Sequence, residues 1–307
     1  AAARSFMAAP QEFYAQADQL VRKITYSKAV GMEYYNWFLL QDYWDKTVGA
    51  DDTFSLITVY NQPQPSFMAY AELIRKLSNR DFSETMNLDP LLEAFRFSGD
   101  DDDVIVVWEK RRVKGLNFVL RSDVPVCRTD IYGNSLILKP QNGLVTVESA
   151  GLPFYLEAPR GKLQASPRLL SFRKELAALP GERVKPTITL VNPLPQTLHY
   201  RLKLAGDTYS GELKSGKSKN IQVDFMIPSN QIAGESVIYA DLLLTNHKGK
   251  TIFKNSLSIP YVCCVAIPPR GISQKIVLDS PAALRELVFV PTIPRWNGIN
   301  DFRDNLF

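Results

Sequence analysis

The 307-residue sequence is poor in metal ligands and in cross-links: it holds two histidines, His199 and His247, and three cysteines. The histidines are far apart and no Cys/His spacing of a zinc site occurs, so a metal centre is not expected, and no other cofactor is implied. Cys263 and Cys264 are adjacent, a spacing that rarely meets disulfide geometry, and Cys127 is remote; the cysteines give no framework and leave the compartment open. Net charge is only +4 and the basic residues are dispersed, which argues against a nucleic-acid partner. No apolar run reaches membrane-spanning length. The opening "AAARSFMAAP" has neither an initiator Met nor a basic-then-apolar signal, and the chain stops at "FRDNLF" directly after a Trp-containing segment. Both ends are expected to be cuts within a longer polypeptide.

What is present is globular composition: 45% hydrophobic and 22% charged residues. The length suggests two or three domains. Twenty prolines against sixteen glycines, with 11% aromatics, lean toward β-rich architecture with many turns.

Only residues 1–80 carry α/β grammar. Phe13, Ala17, Leu20, Val21 and Ile24 recur at helical spacing between Pro10 and Ala29, with Gly31 placed for a stop. The apolar, aromatic run at 34–40 reads as a fully buried strand. A polar loop follows, and Pro65 opens a second helix with Phe67, Tyr70, Leu73, Ile74 and Leu77 on one face.

Beyond residue 81 the period becomes two. In block 81–160, "VIVVWEKRR" is expected to pair with "LNFVL" around a Lys-Gly turn. Tyr132-Gly-Asn and Asn142-Gly143 are turn signals, the latter a strong hairpin signal. Block 161–268 strings together five longer strands separated by Gly, Asn and Pro, as in an immunoglobulin-like sandwich. Residues 269–307 read as the start of a further β domain.

The octapeptide "GELKSGKS" at 211–218 has phosphate-loop spacing, a pattern whose chemistry needs a helix opening at its end to complete the anion site. Here Ile221, Val223 and Phe225 alternate with polar residues, which is strand period. The motif is therefore expected to be a hairpin turn with solvated Lys214 and Lys217, and no nucleotide is expected.

The residues best suited to chemistry are in "NWFLLQDYWD". Trp37, Gln41, Asp42, Tyr43 and Trp44 combine flat apolar faces with hydrogen-bonding groups, the mixture a sugar ring asks for. The residues alone favour the plainer role, in which the aromatics fill a core and pack a loop. The aspartates at 100–103 suit a solvated hairpin better than a calcium site. Lys110, Arg111 and Arg112 read as a charged strand end, Trp108 as core, and His199 as strand surface or core. Trp296 is balanced between packing and a sugar platform.

Resemblance shifts the balance. Helix 10–29, "AVGMEYYNWFLLQDYWD" and "SLITVYNQPQPSFMAYAELIRKL" resemble the end of a (β/α)8 barrel of the large retaining glycoside hydrolase clan, close to family 39. The match implies that Trp37 is the pocket aromatic of the last barrel strand. Ser55 stands where Gly is usual and Gln64 where Lys is usual. The block with "VIVVWEKR", "DIYGN" and "LPFYLEAP" resembles the β domain that follows such barrels. Residues 165–268 resemble bacterial immunoglobulin-like modules of polysaccharide enzymes, which implies an extracellular or periplasmic setting. "IPRWNGINDF" is similar to the opening of family 9-like carbohydrate-binding domains.

The implied fold class is multidomain and mainly β: a terminal α-β-α piece of a (β/α)8 barrel, a small antiparallel β-sandwich and an immunoglobulin-like β-sandwich. In that clan the catalytic glutamates end the fourth and seventh strands, upstream of this chain, so no catalytic residue is named. Glu33 precedes the strand, and Asp42 and Asp45 suit loop or substrate contacts. Two readings follow: part of an enzyme hydrolysing O-glycosidic bonds of a glycan substrate, or a non-enzymatic multi-sandwich carbohydrate-binding or surface protein. Neither fixes the oligomeric state.

Overall fold

The computed structural model describes residues 10–37, 39–41, 55–58, 61–110, 115–149 and 151–264, all in one compact unit, Ala1–Val265. Among the described residues the architecture is β-rich, with two helices and several antiparallel sheets. Neither helix is long and apolar enough to cross a membrane.

The N-terminal part consists of α1 (Pro10–Ala29), β1 (Leu39–Gln41), β2 (Ser55–Ile57) and α2 (Pro65–Leu77). Proline at the first helical position of α2 costs no hydrogen bond, because that N–H has no helical acceptor. β1 and β2 form a parallel pair with Leu39 opposite Ser55 and Gln41 opposite Ile57. The strand expected over residues 34–40 is thus shorter and begins later. Tyr34 is 83% exposed and precedes it. An apolar run becomes a strand only where a partner supplies the ladder, and here β2 offers three residues.

The next strands are β3 (Asp81–Thr85), β4 (Leu92–Ser98), β5 (Asp102–Glu109), β6 (Asn117–Arg121), β7 (Val126–Asp130), β8 (Ser135–Leu138), β9 (Leu144–Glu148), β10 (Phe154–Pro159) and β11 (Gln164–Ala165). Six of them form the sheet β3-β4-β5-β10-β7-β8, and a second sheet runs β11-β6-β9. Period-two alternation gives the large sheet two apolar faces. Ile105 and Val107 point into the first sandwich with Phe118, Val145 and Phe154. Val104, Val106 and Trp108 point the other way, against Leu20, Val21 and Leu73 of the helices. β5 is buried from Asp103 to Glu109 because it is central and covered on both sides.

That placement overturns the expected pairing of "VIVVWE" with "LNFVL". β5 pairs with β4 and β10, whereas β6 pairs with β9 and β11 in the opposite sheet. The chain crosses between sheets through Gly115, whose φ of +76° suits glycine. The turn after Asp130 does join hairpin strands β7 and β8. Asn142 (φ +50°) and Gly143 (φ +84°) make a tight turn, but it links β8 to β9 across the two sheets.

The remaining strands are β12 (Leu170–Phe172), β13 (Ala177–Ala178), β14 (Arg183–Val184), β15 (Thr187–Val191), β16 (Leu198–Leu204), β17 (Asp207–Leu213), β18 (Ser218–Gln222), β19 (Phe225–Met226), β20 (Gly234–Thr245) and β21 (Thr251–Cys263). Sheets β12-β15-β18 and β13-β21-β20-β16-β17 share one core, including Ile188, Leu190, Leu202, Leu242 and Phe253. This is the second sandwich. "GELKSGKS" is the end of β17, a turn at 214–217 and the first residue of β18, so no helix completes an anion site. It is not a hairpin, however: β17 pairs with β16 and β18 with β15, so the turn bridges opposite sheets.

The two sandwiches are hydrogen-bonded to each other. Asn117 donates from its backbone N–H to Ser258 Oγ at 2.6 Å and from Nδ2 to the Ser256 carbonyl at 3.0 Å. Tyr239 Oη donates to the Gly115 carbonyl at 3.0 Å, and Lys254 N–H to Gln141 Oε1 at 2.9 Å. Buried Asp89 pairs with Arg168 across the same junction.

Candidate functional site

The end of the parallel pair gathers the amides a polar ligand would meet. Gln41 closes β1 and donates from Nε2 to Asn61 Oδ1 at 2.6 Å. Asn61 sits in the turn after β2 with φ +60°, a conformation asparagine tolerates better than most residues. Its N–H donates to the Thr58 carbonyl at 3.0 Å, and Thr58 Oγ1 accepts from the Gln62 N–H at 3.1 Å. Both carboxamides are exposed, and their remaining donors and acceptors suit vicinal hydroxyls.

Trp37 does not share that end. It precedes β1 by two residues and Gln41 by four, about 13 Å of extended chain. It is half-buried against the helix-and-sheet core, with its ring centroid 6.5 Å from that of Tyr35. Asp42, Tyr43 and Trp44 lie outside the described residues, as do Asp45, Arg111, Arg112 and Trp296. Exposed Glu33 lies on the Trp37 side, in a cleft of about 250 Å³ shared with Lys28, Met32, Tyr35 and Tyr70.

Beneath the amides is a polar network that sequence reasoning missed. Gln64 Nε2 donates to Ser55 Oγ at 3.0 Å, and Ser55 Oγ donates to the Ile57 carbonyl at 2.8 Å. Gln16 of α1 donates to the Ser55 carbonyl at 3.1 Å and accepts from Ser66 Oγ at 2.7 Å. One glutamine thereby ties α1, β2 and the start of α2. Gln16, next to the apolar positions Ala17 and Leu20 of α1, was the available signal.

Other charged groups are committed to structure. Lys76, 2% exposed, donates to Glu157 Oε1 and to Thr129 Oγ1, with Glu72 at 3.6 Å. Its ammonium joins α2 to the large sheet and offsets the Glu157 carboxylate, while Glu72 is also held by Arg75 through Nε at 2.8 Å. Arg22 donates from Nη1 to the Glu109 carbonyl at 3.0 Å and lies 5.7 Å over the ring of Trp108. Trp108 in turn stacks on Phe95 at 5.1 Å, which makes it core. Burial pushes the Glu109 carboxyl above its usual range, against the hydrogen bond from Ser149 Oγ.

Of the aspartates at 100–103, Asp102 accepts two hydrogen bonds from Arg80, at 2.9 and 2.6 Å. Buried Asp103 accepts from Ser98 Oγ at 2.7 Å and from the Gly161 N–H at 2.8 Å. The run spans the β4–β5 hairpin turn and the first residues of β5, closed by the Gly99 N–H on the Asp102 carbonyl. His199 is exposed on β16.

No family model matches the chain, and no curated protein matches it. A family 39 glycoside hydrolase from the gut symbiont Bacteroides cellulosilyticus WH2 is similar in structure, with a TM-score of 0.39 and 24% sequence identity. The similarity covers 47% of this chain and 30% of that one.

Proposed function

We propose that this chain is the C-terminal part of a carbohydrate-active enzyme that hydrolyses O-glycosidic bonds of a polysaccharide or oligosaccharide. The observation that carries the reading is the parallel pairing of β1 with β2 between two packed helices. A parallel pair of three-residue strands is not stable in isolation, and parallel sheets are buried by helices on their faces. Further parallel strands beside this pair would complete a barrel, consistent with the sequence resemblance. In that reading the acid/base and nucleophile carboxylates, about 5–5.5 Å apart in a retaining enzyme, belong to the preceding polypeptide. This chain contributes substrate contacts: Gln41 with Asn61, the adjoining Asp42, Tyr43 and Trp44, and Trp37 as a flanking aromatic. The accessory-domain resemblance favours an extracellular or periplasmic setting for such an enzyme.

The test uses the longer polypeptide with an oligosaccharide substrate. Gln41→Ala and Asn61→Ala should each raise KM or lower kcat/KM by about ten-fold, the loss expected for one hydrogen bond to a substrate hydroxyl. Unchanged kinetics in both variants would remove this end of β1 from the substrate site.

A further inference from the structure

One end of the second sandwich gathers lysines on three connections. Leu198 pairs with Leu213, His199 with Thr245, and Val191 with Ser218, so the connections 192–197, 214–217 and 246–250 all leave the sandwich at the same end. Buried Asn192 joins two of them, with its N–H on the Lys217 carbonyl at 2.9 Å and Nδ2 on the Lys214 carbonyl at 3.2 Å. Asn246 Oδ1 accepts from the N–H groups of Lys248 and Lys250 and fixes the third.

These three connections read NPLPQT, KSGK and NHKGK. They hold Lys214, Lys217, Lys248, Lys250 and His247 and no acidic residue. All four lysines are exposed, and none forms an ion pair with a described residue. Elsewhere in the same sandwich Asp224 pairs with both Arg183 and Lys185, whereas no carboxylate stands on these three connections. Clustered like charges held on fixed turns repel one another, and a polyanion relieves that repulsion.

We propose that this pole is a docking surface for an acidic polysaccharide, a chain with repeated carboxylate or sulfate groups; the glycan identity rests on the function proposed above. The three connections contain no Phe, Tyr or Trp, the side chains that give a neutral sugar ring or a nucleobase its broad stacking platform. The connections contain no arginine, and the Arg121 guanidinium that reaches them is engaged on the Pro193 carbonyl at 2.7 Å. Lysine point charges recognise repeated anions by charge alone. The turn that resembles a phosphate loop supplies two of the four.

Affinity electrophoresis of the whole chain at low salt tests the proposal with polygalacturonate, dextran sulfate, neutral dextran and a single-stranded DNA of matched charge. The chain should be retarded by polygalacturonate or dextran sulfate, each arm reporting one anion, and not by dextran. Affinity should fall about ten-fold or more between roughly 50 and 200 mM salt. The variant K214Q/K217Q/K248Q/K250Q should keep its melting temperature and bind about ten-fold more weakly or worse. Three results overturn the proposal: no retardation by either acidic polymer, an undiminished quadruple variant, or DNA bound as tightly as the acidic polysaccharide. These readouts involve no turnover, so their failure is distinct from failure of the hydrolase reading.

Discussion

Gln64 donates from Nε2 to the Ser55 hydroxyl at 3.0 Å, with both residues buried. These are the two positions at which the sequence departs from the pattern it otherwise resembles, and the departures face each other. Ser55 Oγ gives its proton to the Ile57 carbonyl and takes one from the Gln64 amide, so a change at either position leaves a buried polar group with one partner fewer. Gln64→Ala should therefore cost about 1–3 kcal/mol in urea denaturation. Adding Ser55→Gly to it should cost less than the sum of the two single changes, because the partner is already lost. Strict additivity would show that the two side chains are not coupled.

Lys76 anchors α2 to the large sheet from a site that is 2% exposed, with Glu157 and Thr129 as partners. Removing one member of a buried ion pair strands the other, at a cost of about 3–5 kcal/mol. Lys76→Met should destabilise the chain to that degree, and Lys76→Met with Glu157→Gln should recover part of the loss. Chemical denaturation of the two variants measures both effects; a neutral Lys76→Met would mean that the helix is held by apolar contacts alone.

Glu109 gives a pH-dependent prediction. Its folded-state carboxyl is raised chiefly by burial, with the Ser149 hydrogen bond and Arg22 opposing. The folded chain then holds that proton more tightly than the unfolded chain does. Glu109 therefore favours folding below the ordinary glutamate pKa, and the contribution is lost as pH rises through the folded value. Glu109→Gln, which can still accept from Ser149, should raise Tm at neutral pH by about 2–4 °C, and the gain should vanish in acid. A gain independent of pH would contradict the assignment.

Local signals were the legible ones. Pro10, Pro65 and the 3.6-residue apolar spacing give both helices, and the glycine-bearing turns at 133 and 143 fall where sequence puts them. Partner choice was not legible. Alternation in "VIVVWE" tells which side chains share a face, but nothing local says that β5 pairs with β10, about fifty residues later, rather than with the next strand. The turns at 142–143 and 211–218 misled for the same reason, since a tight turn can cross between sheets as well as close a hairpin. At the candidate site, Gln41 was visible as a polar residue ending an apolar run. Asn61 was not, because its role depends on a left-handed turn and on the parallel register of β1 with β2.

The central claim is that this chain supplies substrate contacts to a glycosidase whose catalytic carboxylates precede it. Hydrolysis of a panel of aryl glycosides, measured in parallel for this chain and for the polypeptide extended upstream, tests it most directly. The account predicts no turnover by this chain and clear turnover by the extended protein, abolished when either of its two strand-end glutamates is changed to glutamine. Turnover by this chain alone, or an inert extended protein without such a glutamate pair, would contradict it.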